Sequence, residues 1–369
     1  MLIRRKAPTV VEQIVSHTKA SACEEERVEF LPSGSLLLNL AASQKGKNGG
    51  WARGRICNPV GDGSSGKTLL CLEACAQVFY KIEKIESKLW PKVKNLSIVY
   101  NNIEGVMDMP LEEMYGDEFV DFVEWIPDGN EERDLPMTCE AFGRDLLGRI
   151  DKVQEGDCLI YVLDSIDALD SKAGLDRMEK SIKTGKELDG TYGTEKAKYF
   201  SSNFFNNLCS KMAGKDVTIF MISQVRHKID AVAFGEKYYR TGGKALDFYT
   251  HQVPWLAQVQ KLTNEYKKEK RVYGVTTKAR FKRNKVAKPF REVEFDILFD
   301  YGIDDIGTCA NFLSMEEIRT LSPAKSREDF IEMVEEDAPL RQSLFDYVEY
   351  KWFEIEENTK VKRKNRWED

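Results

Sequence analysis

The segment Gly61-Asp62-Gly63-Ser64-Ser65-Gly66-Lys67-Thr68 constrains this chain more than any other. Glycines at this spacing let successive backbone N–H groups turn inward around an anion. The helical stretch that follows, Leu69 to Ile85, adds the partial positive charge of its N-terminus. At these positions Lys67 reaches the β- and γ-phosphates of a nucleotide, and Thr68 offers its hydroxyl to Mg²⁺. The whole run from Gly61 to Thr68 is therefore the candidate nucleotide-binding loop, with ATP and Mg²⁺ as expected cofactors.

The surroundings of the loop suit that reading. Gly54-Arg-Ile-Cys-Asn, Leu96-Ser-Ile-Val-Tyr, Cys158-Leu-Ile-Tyr-Val-Leu and Val217-Thr-Ile-Phe-Met-Ile are short apolar runs alternating with helical stretches. Continuous apolarity suits strands covered on both faces, so the pattern predicts an α/β fold with a largely parallel central sheet flanked by helices. Asn58-Pro59 is the awkward element, because proline cannot donate to a ladder; the expectation is that Pro59 takes the last position of its strand. Beyond Gln252, the runs Trp255 to Lys261, Val272 to Phe281 and Glu292 to Phe299 predict further strands, antiparallel in part. From Met315 to Glu357, Phe330, Ile331, Val334, Leu340, Leu344, Tyr347, Val348 and Trp352 recur at helical spacing, which predicts a small C-terminal helical appendage.

Polar residues stand at the strand tips. Asp164 ends the Cys158–Leu163 run and is the candidate Mg²⁺ carboxylate with Thr68. Glu104 follows the Leu96 run, where a carboxylate can orient and deprotonate an attacking water. Gln224 ends the Val217 run, where an amide can sense the γ-phosphate. Lys67, Glu104 and Gln224 are thus the candidate catalytic set.

Composition sets the outer limits. With 42% hydrophobic residues, general disorder is excluded. No apolar run approaches the roughly 18 residues a bilayer crossing needs. The basic start lacks an apolar core and does not read as a secretory signal. Eight scattered cysteines without paired spacing predict a reduced, cytoplasmic protein. The net charge of −6 argues against a nucleic-acid partner at first sight. It is a cancellation, however. Acids crowd between Glu104 and Asp134, whereas Lys267, Lys268, Lys270, Arg271, Lys278, Arg280, Lys282, Arg283, Lys285 and Lys288 crowd between Lys261 and Arg291.

Taken together, these residues resemble the RecA family of DNA recombinases, from about Phe30 to about Leu313. Leu31-Pro-Ser-Gly-Ser, Gly54-Arg-Ile and the phosphate loop are similar to the lead into that family's ATPase core. Ile103-Glu104-Gly-Val-Met-Asp108 resembles its catalytic-glutamate stretch, with Asp108 on the adenine side, although Met109-Pro-Leu stands where the family often has a tyrosine. Leu163-Asp164-Ser165 resembles its Mg²⁺ strand. The most specific likeness is Ser223-Gln224-Val-Arg226-His227-Lys228, followed by Arg240-Thr241-Gly242-Gly243-Lys244. It implies a switch glutamine and a mobile loop in which Arg226, His227, Lys228, Arg240, Thr241, Gly242, Gly243 and Lys244 contact DNA. Met178 to Lys198, with Lys180, Lys183, Lys186, Lys196 and Lys198, falls where the family's other DNA loop lies. Arg283-Asn284-Lys285 resembles a segment whose two cations reach a neighbouring protomer's ATP.

The resemblance implies a P-loop ATPase core at 31–313, an N-terminal segment at 1–30 able to contact a neighbouring protomer, and the helical region with its basic tail at 314–369. It implies a DNA-dependent ATPase that forms a helical filament on single-stranded DNA, with ATP between protomers, and pairs it with double-stranded DNA. The alternatives are a RecA-fold ring motor and a RecA-like ATP-binding assembly protein without strand exchange. No membrane association is expected.

Overall fold

The computed structural model describes residues 28–84, 90–105, 107, 109–126, 138–185, 194–227, 238–240, 243–363 and 366. Asp108, Lys228, Thr241 and Gly242, and nearly all of the 1–30 segment, lie outside the described residues.

The strands are β1 (Phe30–Leu31), β2 (Trp51–Ala52), β3 (Ile56–Cys57), β4 (Val60–Gly61), β5 (Asn95–Asn102), β6 (Glu124–Ile126) and β7 (Asp157–Asp164). They continue with β8 (Val217–Met221), β9 (Ser223–His227), β10 (Tyr238–Arg240), β11 (Gln252–Tyr266), β12 (Glu269–Asn284), β13 (Glu292–Leu298) and β14 (Gly302–Asp304). β1 and β2 pair with each other, and the rest form one mixed sheet. From β6 through β5, β7, β8 and β3 to β11 every pairing is parallel. β11 to β14 then extend the sheet as antiparallel neighbours. The fold is thus the α/β architecture expected from the alternating runs.

Alternation along the central strands explains why they read as unbroken apolar runs. In β7, Leu159, Tyr161 and Leu163 join a core with Phe142, Leu146, Phe205 and Leu208 from the helices Cys139–Lys152 and Phe205–Met212. Cys158, Ile160 and Val162 point the other way, into a core with Leu70, Ala74 and Val78 of the helix Lys67–Phe79. Each strand therefore feeds two cores, as a sheet covered on both faces requires.

Pro59 does not sit at the end of its strand. It separates β3 from β4, and the neighbouring strand is interrupted beside it, at Ile222 between β8 and β9. The missing donor is absorbed locally. Asn58 N donates to Gln252 O (2.9 Å), and Pro59 O accepts from Ser223 N (3.0 Å). The Asn58 amide bridges the neighbour's break, donating to Ser223 Oγ at 2.9 Å and to Met221 O. Both strands resume past the interruption in register, with Gly61 opposite Gln224. The double break sets the glycine-rich loop beside Gln224.

The C-terminal region is helical, as its periodicity predicts: Met315–Leu321, Arg327–Glu336 and Ala338–Thr359. Ser314 and Glu317 form a reciprocal capping box at its start. Phe330, Val334, Leu344, Val348 and Trp352 are buried in the same cluster as Leu37, Leu40 and the phosphate-loop helix. Replacing Phe330 with Ala should cost about 3–5 kcal/mol. Because the cluster is shared, urea denaturation should show one cooperative transition shifted to lower denaturant. A separate early loss of helix, with the remaining transition unmoved, would show that these helices fold apart from the sheet.

Candidate nucleotide site and the flanking basic surface

β4 delivers Gly61 into the loop, and Gly66 caps the helix Lys67–Phe79. Gly66 has φ +83°, and a Cβ there would lie 2.5 Å from Ile297 Cδ1; a Cβ at Gly61 would lie 2.4 Å from Ser65 Oγ. Both positions exclude larger residues, so the loop keeps its backbone amides open on the concave side. Asp62, Gly63 and Ser64 are exposed, and Ser65 Oγ donates back to Asp62 O at 2.7 Å. Lys67 folds over the loop, with Nζ 2.6 Å from Asp62 O. Burial lowers its pKa, while Asp164, Glu104, Asp62 and Asp167 pull it back up. A half-desolvated ammonium in a ring of carboxylates is poised to take a polyanion.

Thr68 Oγ1 donates to Asp164 Oδ2 at 2.6 Å, which brings together the two residues expected to serve Mg²⁺. Asp164 is buried, and burial raises its pKa against the hydrogen bonds from Thr68 and Tyr100. Among the described residues no group of three or more His, Cys, Asp and Glu gathers as a cation site. Mg²⁺ takes one or two protein ligands and fills its shell with phosphate oxygens and water. The donor set at Thr68 and Asp164 fits the ion.

Glu104 and Gln224 meet across the sheet. Gln224 Nε2 donates to Glu104 Oε1 at 2.7 Å, and the Ser165 hydroxyl donates to the same oxygen. The Gln224 backbone N–H is fixed by Asp167 Oδ2 at 2.7 Å. The peptide bond between Asp164 and Ser165 is cis. The contacts that Tyr100, Ser165 and Asp167 make here were not foreseen from the sequence. Tyr100 carried a usable signal, since a tyrosine inside a buried strand needs a partner for its hydroxyl; that partner is Asp164 Oδ2, at 2.7 Å.

The expected DNA-facing residues are distributed unevenly. Arg226 and His227 end β9, which pairs with β10 so that Tyr239 opposes Arg226. Gly243 and Lys244 open the helix Gly243–Tyr249. Arg240 differs from the expectation of a surface contact: it is buried, and its guanidinium pairs with Asp247. Lys196 also departs from its expected place on a DNA loop. It is buried, with Nζ donating to Leu169 O at 2.7 Å and to Asp167 O at 3.1 Å, because burying a lysine requires such acceptors. Lys180 and Lys183 remain exposed on the helix Lys172–Thr184.

A separate cationic surface forms where β12 ends. Arg283 is half-buried there and Lys285 is exposed, its ammonium donating to Phe248 O. His251 is pushed down to about 4, first by burial and then by Lys285, Arg55 and Arg283. Arg240 is lowered by burial and by Arg283 as well. Elsewhere the basic stretch is compensated, as Lys278 and Arg280 pair with Glu292, each at 3.1 Å. The acids Glu112, Glu113, Asp117, Glu118 and Asp121 are exposed on two short helices. No helix among the described residues is long and apolar enough to cross a membrane.

Comparison with known proteins converges on one family. Residues 142–304 match the RecA N-terminal domain. The chain is 28% identical to Protein RecA of Gloeothece citriformis over 295 residues, covering 80% of this chain and 70% of the relative. It is 27% identical to Protein RecA of Nitratidesulfovibrio vulgaris over 331 residues, covering 86% and 80%. It is 29% identical to Protein RecA 2 of Myxococcus xanthus over 291 residues, covering 79% and 69%. The phosphate loop, the hydroxyl–carboxylate pair and the glutamine–glutamate contact assembled on this sheet thus stand in a chain that is similar to RecA proteins over most of its length.

Proposed function

We propose that the protein is a DNA-dependent ATPase that assembles as a helical filament on single-stranded DNA and promotes homologous pairing and strand exchange with double-stranded DNA. Its family relationship supports a RecA-type ATPase and recombinase, and the site supplies the parts such an activity needs. The observation that carries the reading is the hydrogen bond from Gln224 to Glu104, because it joins the acid at one strand tip to the strand that leads into 226–244.

Lys67 and the loop amides hold the phosphates and spread their charge. Thr68 and Asp164 present the two oxygens that would hold Mg²⁺, which when bound neutralises charge between the β- and γ-phosphates. Glu104 accepts two hydrogen bonds through Oε1 in this conformation. When Gln224 turns its amide to a γ-phosphate oxygen, Glu104 loses one donor and gains the freedom to orient and deprotonate water. The same movement displaces β9, which carries Arg226 and His227, so nucleotide state and DNA contact are linked through one side chain. Of the seven described cysteines, six are buried, and all are free of disulfides, which suits a reduced cytoplasmic setting.

Arg283 and Lys285 supply a cationic edge suited to completing a neighbour's ATP site. Arg283→Ala should lower turnover of assembled protein while leaving nucleotide affinity of the dilute monomer nearly unchanged. Fluorescent-nucleotide titration beside steady-state turnover checks this; loss of monomer binding would place Arg283 within its own chain's site.

The deciding experiment measures ATP turnover with and without single-stranded DNA, with electron microscopy of the same samples. DNA-stimulated turnover together with extended filaments supports the recombinase. Closed rings would identify a motor, and no turnover under any DNA condition would leave an ATP-binding assembly protein.

A further inference from the structure

Tyr100 is fully buried on β5, which runs between β6 and β7. It stands opposite Val162 in the parallel register, two residues short of Asp164 on β7. Two residues of strand span about 6.6 Å, a distance a tyrosine side chain can cover along the sheet. The ring is held against Trp125, with centroids 5.4 Å apart. Trp125 is fixed in turn by its indole N–H, which donates to Val120 O at 2.9 Å. The Tyr100 hydroxyl thereby reaches Asp164 Oδ2 at 2.7 Å.

Tyr100 shares its core with Leu70, Cys71 and Cys75, where phenylalanine would fill the same space without burying a polar group. What the hydroxyl adds is its bond to Asp164. Thr68 Oγ1 donates to the same carboxylate oxygen at 2.6 Å. Both donors fall on Oδ2, so Oδ1 is the oxygen left to face an ion or its water shell. The carboxylate is thus held in one rotation from two elements, β5 and the helix Lys67–Phe79. Thr68 Oγ1 is itself an expected ligand, which makes Tyr100 the donor devoted to Asp164 alone.

We propose that Tyr100 is a positioning residue of the cation site, fixing Asp164 so that one carboxylate oxygen faces the ion and Mg²⁺ is favoured over Ca²⁺. This rests on the reading of Thr68 and Asp164 as the Mg²⁺ pair. Mg²⁺ demands near-octahedral geometry at short range. Ca²⁺ takes about six to eight oxygens in flexible geometry and accepts both oxygens of one carboxylate. Two donors on Oδ2 withhold that second oxygen, and the fixed rotation serves the ion with the stricter geometry. Groups that orient a metal ligand in this way contribute about 10–100-fold to metal affinity.

The test measures affinity for a fluorescent, non-hydrolysable ATP analogue in Mg²⁺, in Ca²⁺ and in EDTA. In Tyr100→Phe the gain in affinity that Mg²⁺ gives over EDTA should fall about tenfold or more. The gain from Ca²⁺ should fall less, and affinity in EDTA should match that of the unaltered protein. Tyr161→Phe removes an equally buried hydroxyl, one that meets Asn101 and Asp145 in the core on the other face of the sheet. It should leave all three affinities unchanged. An undiminished Mg²⁺ gain, equal losses with both ions, affinity lost in EDTA as well, or an equal loss in Tyr161→Phe would overturn the proposal. Absence of any Mg²⁺ gain in the unaltered protein would instead overturn the reading of Thr68 and Asp164, and the proposal with it.

Discussion

Lys67→Ala should abolish ATP-dependent DNA binding and lower ATP turnover by about 10²–10³-fold or more, the usual loss when a principal charge-stabilising donor is removed. The ammonium is the cation that approaches the phosphate loop from within its own chain, folded over Asp62 O at 2.6 Å. Its burial is tolerated because Asp164, Glu104, Asp62 and Asp167 surround it. Truncation removes the charge and leaves those acids facing an incoming polyanion, so affinity and turnover should fall together. Filter binding of single-stranded DNA with and without ATP, beside steady-state hydrolysis, checks the result. Unchanged ATP-dependent DNA binding would refute the assignment of this loop as the nucleotide site.

Glu104→Gln should separate binding from hydrolysis. The amide keeps an oxygen that can accept from Ser165 and Gln224, so the local geometry survives. It cannot take a proton from water, and turnover should fall by about 10²–10⁴-fold. Nucleotide affinity should change little, and ATP-bound assemblies on single-stranded DNA should persist longer than those of the unaltered protein. Single-turnover hydrolysis and nucleotide titration distinguish the two effects. A comparable loss of nucleotide affinity would mean that Glu104 holds the site together and is not its base.

Much of this was legible in the chain. The phosphate loop is a local device, since its geometry depends on glycines and a hydroxyl at fixed offsets. The runs from Cys158 and Val217 were legible because a strand buried on both faces has apolar residues on both; the first ends at Asp164 as expected, whereas the second ends at Met221 and Gln224 lies within the next strand. Partner choice was not legible. Lys196 and Lys180 both read as exposed bases of one segment, yet Lys196 lies buried on two backbone carbonyls. Arg240 sits within the most specific string of the sequence and still turns inward to Asp247. Such outcomes depend on which acceptors the fold brings within reach, and those acceptors come from distant parts of the chain.

The sequence by itself determined the parallel α/β core and the glycine loop ahead of its helix, and placed Asp164 at the end of one strand and Glu104 just past another, because period, apolar continuity and motif spacing are properties of neighbouring residues. Only the tertiary structure decided how those residues meet. Pro59 breaks its strand instead of ending it, the adjacent strand breaks at Ile222, and both resume with Gly61 opposite Gln224. Sheet register brings Gln224 within 2.7 Å of Glu104, although 120 positions separate them in the chain. A hydrogen bond between side chains that far apart is set by strand pairing, and strand pairing is settled by the packing of both cores at once.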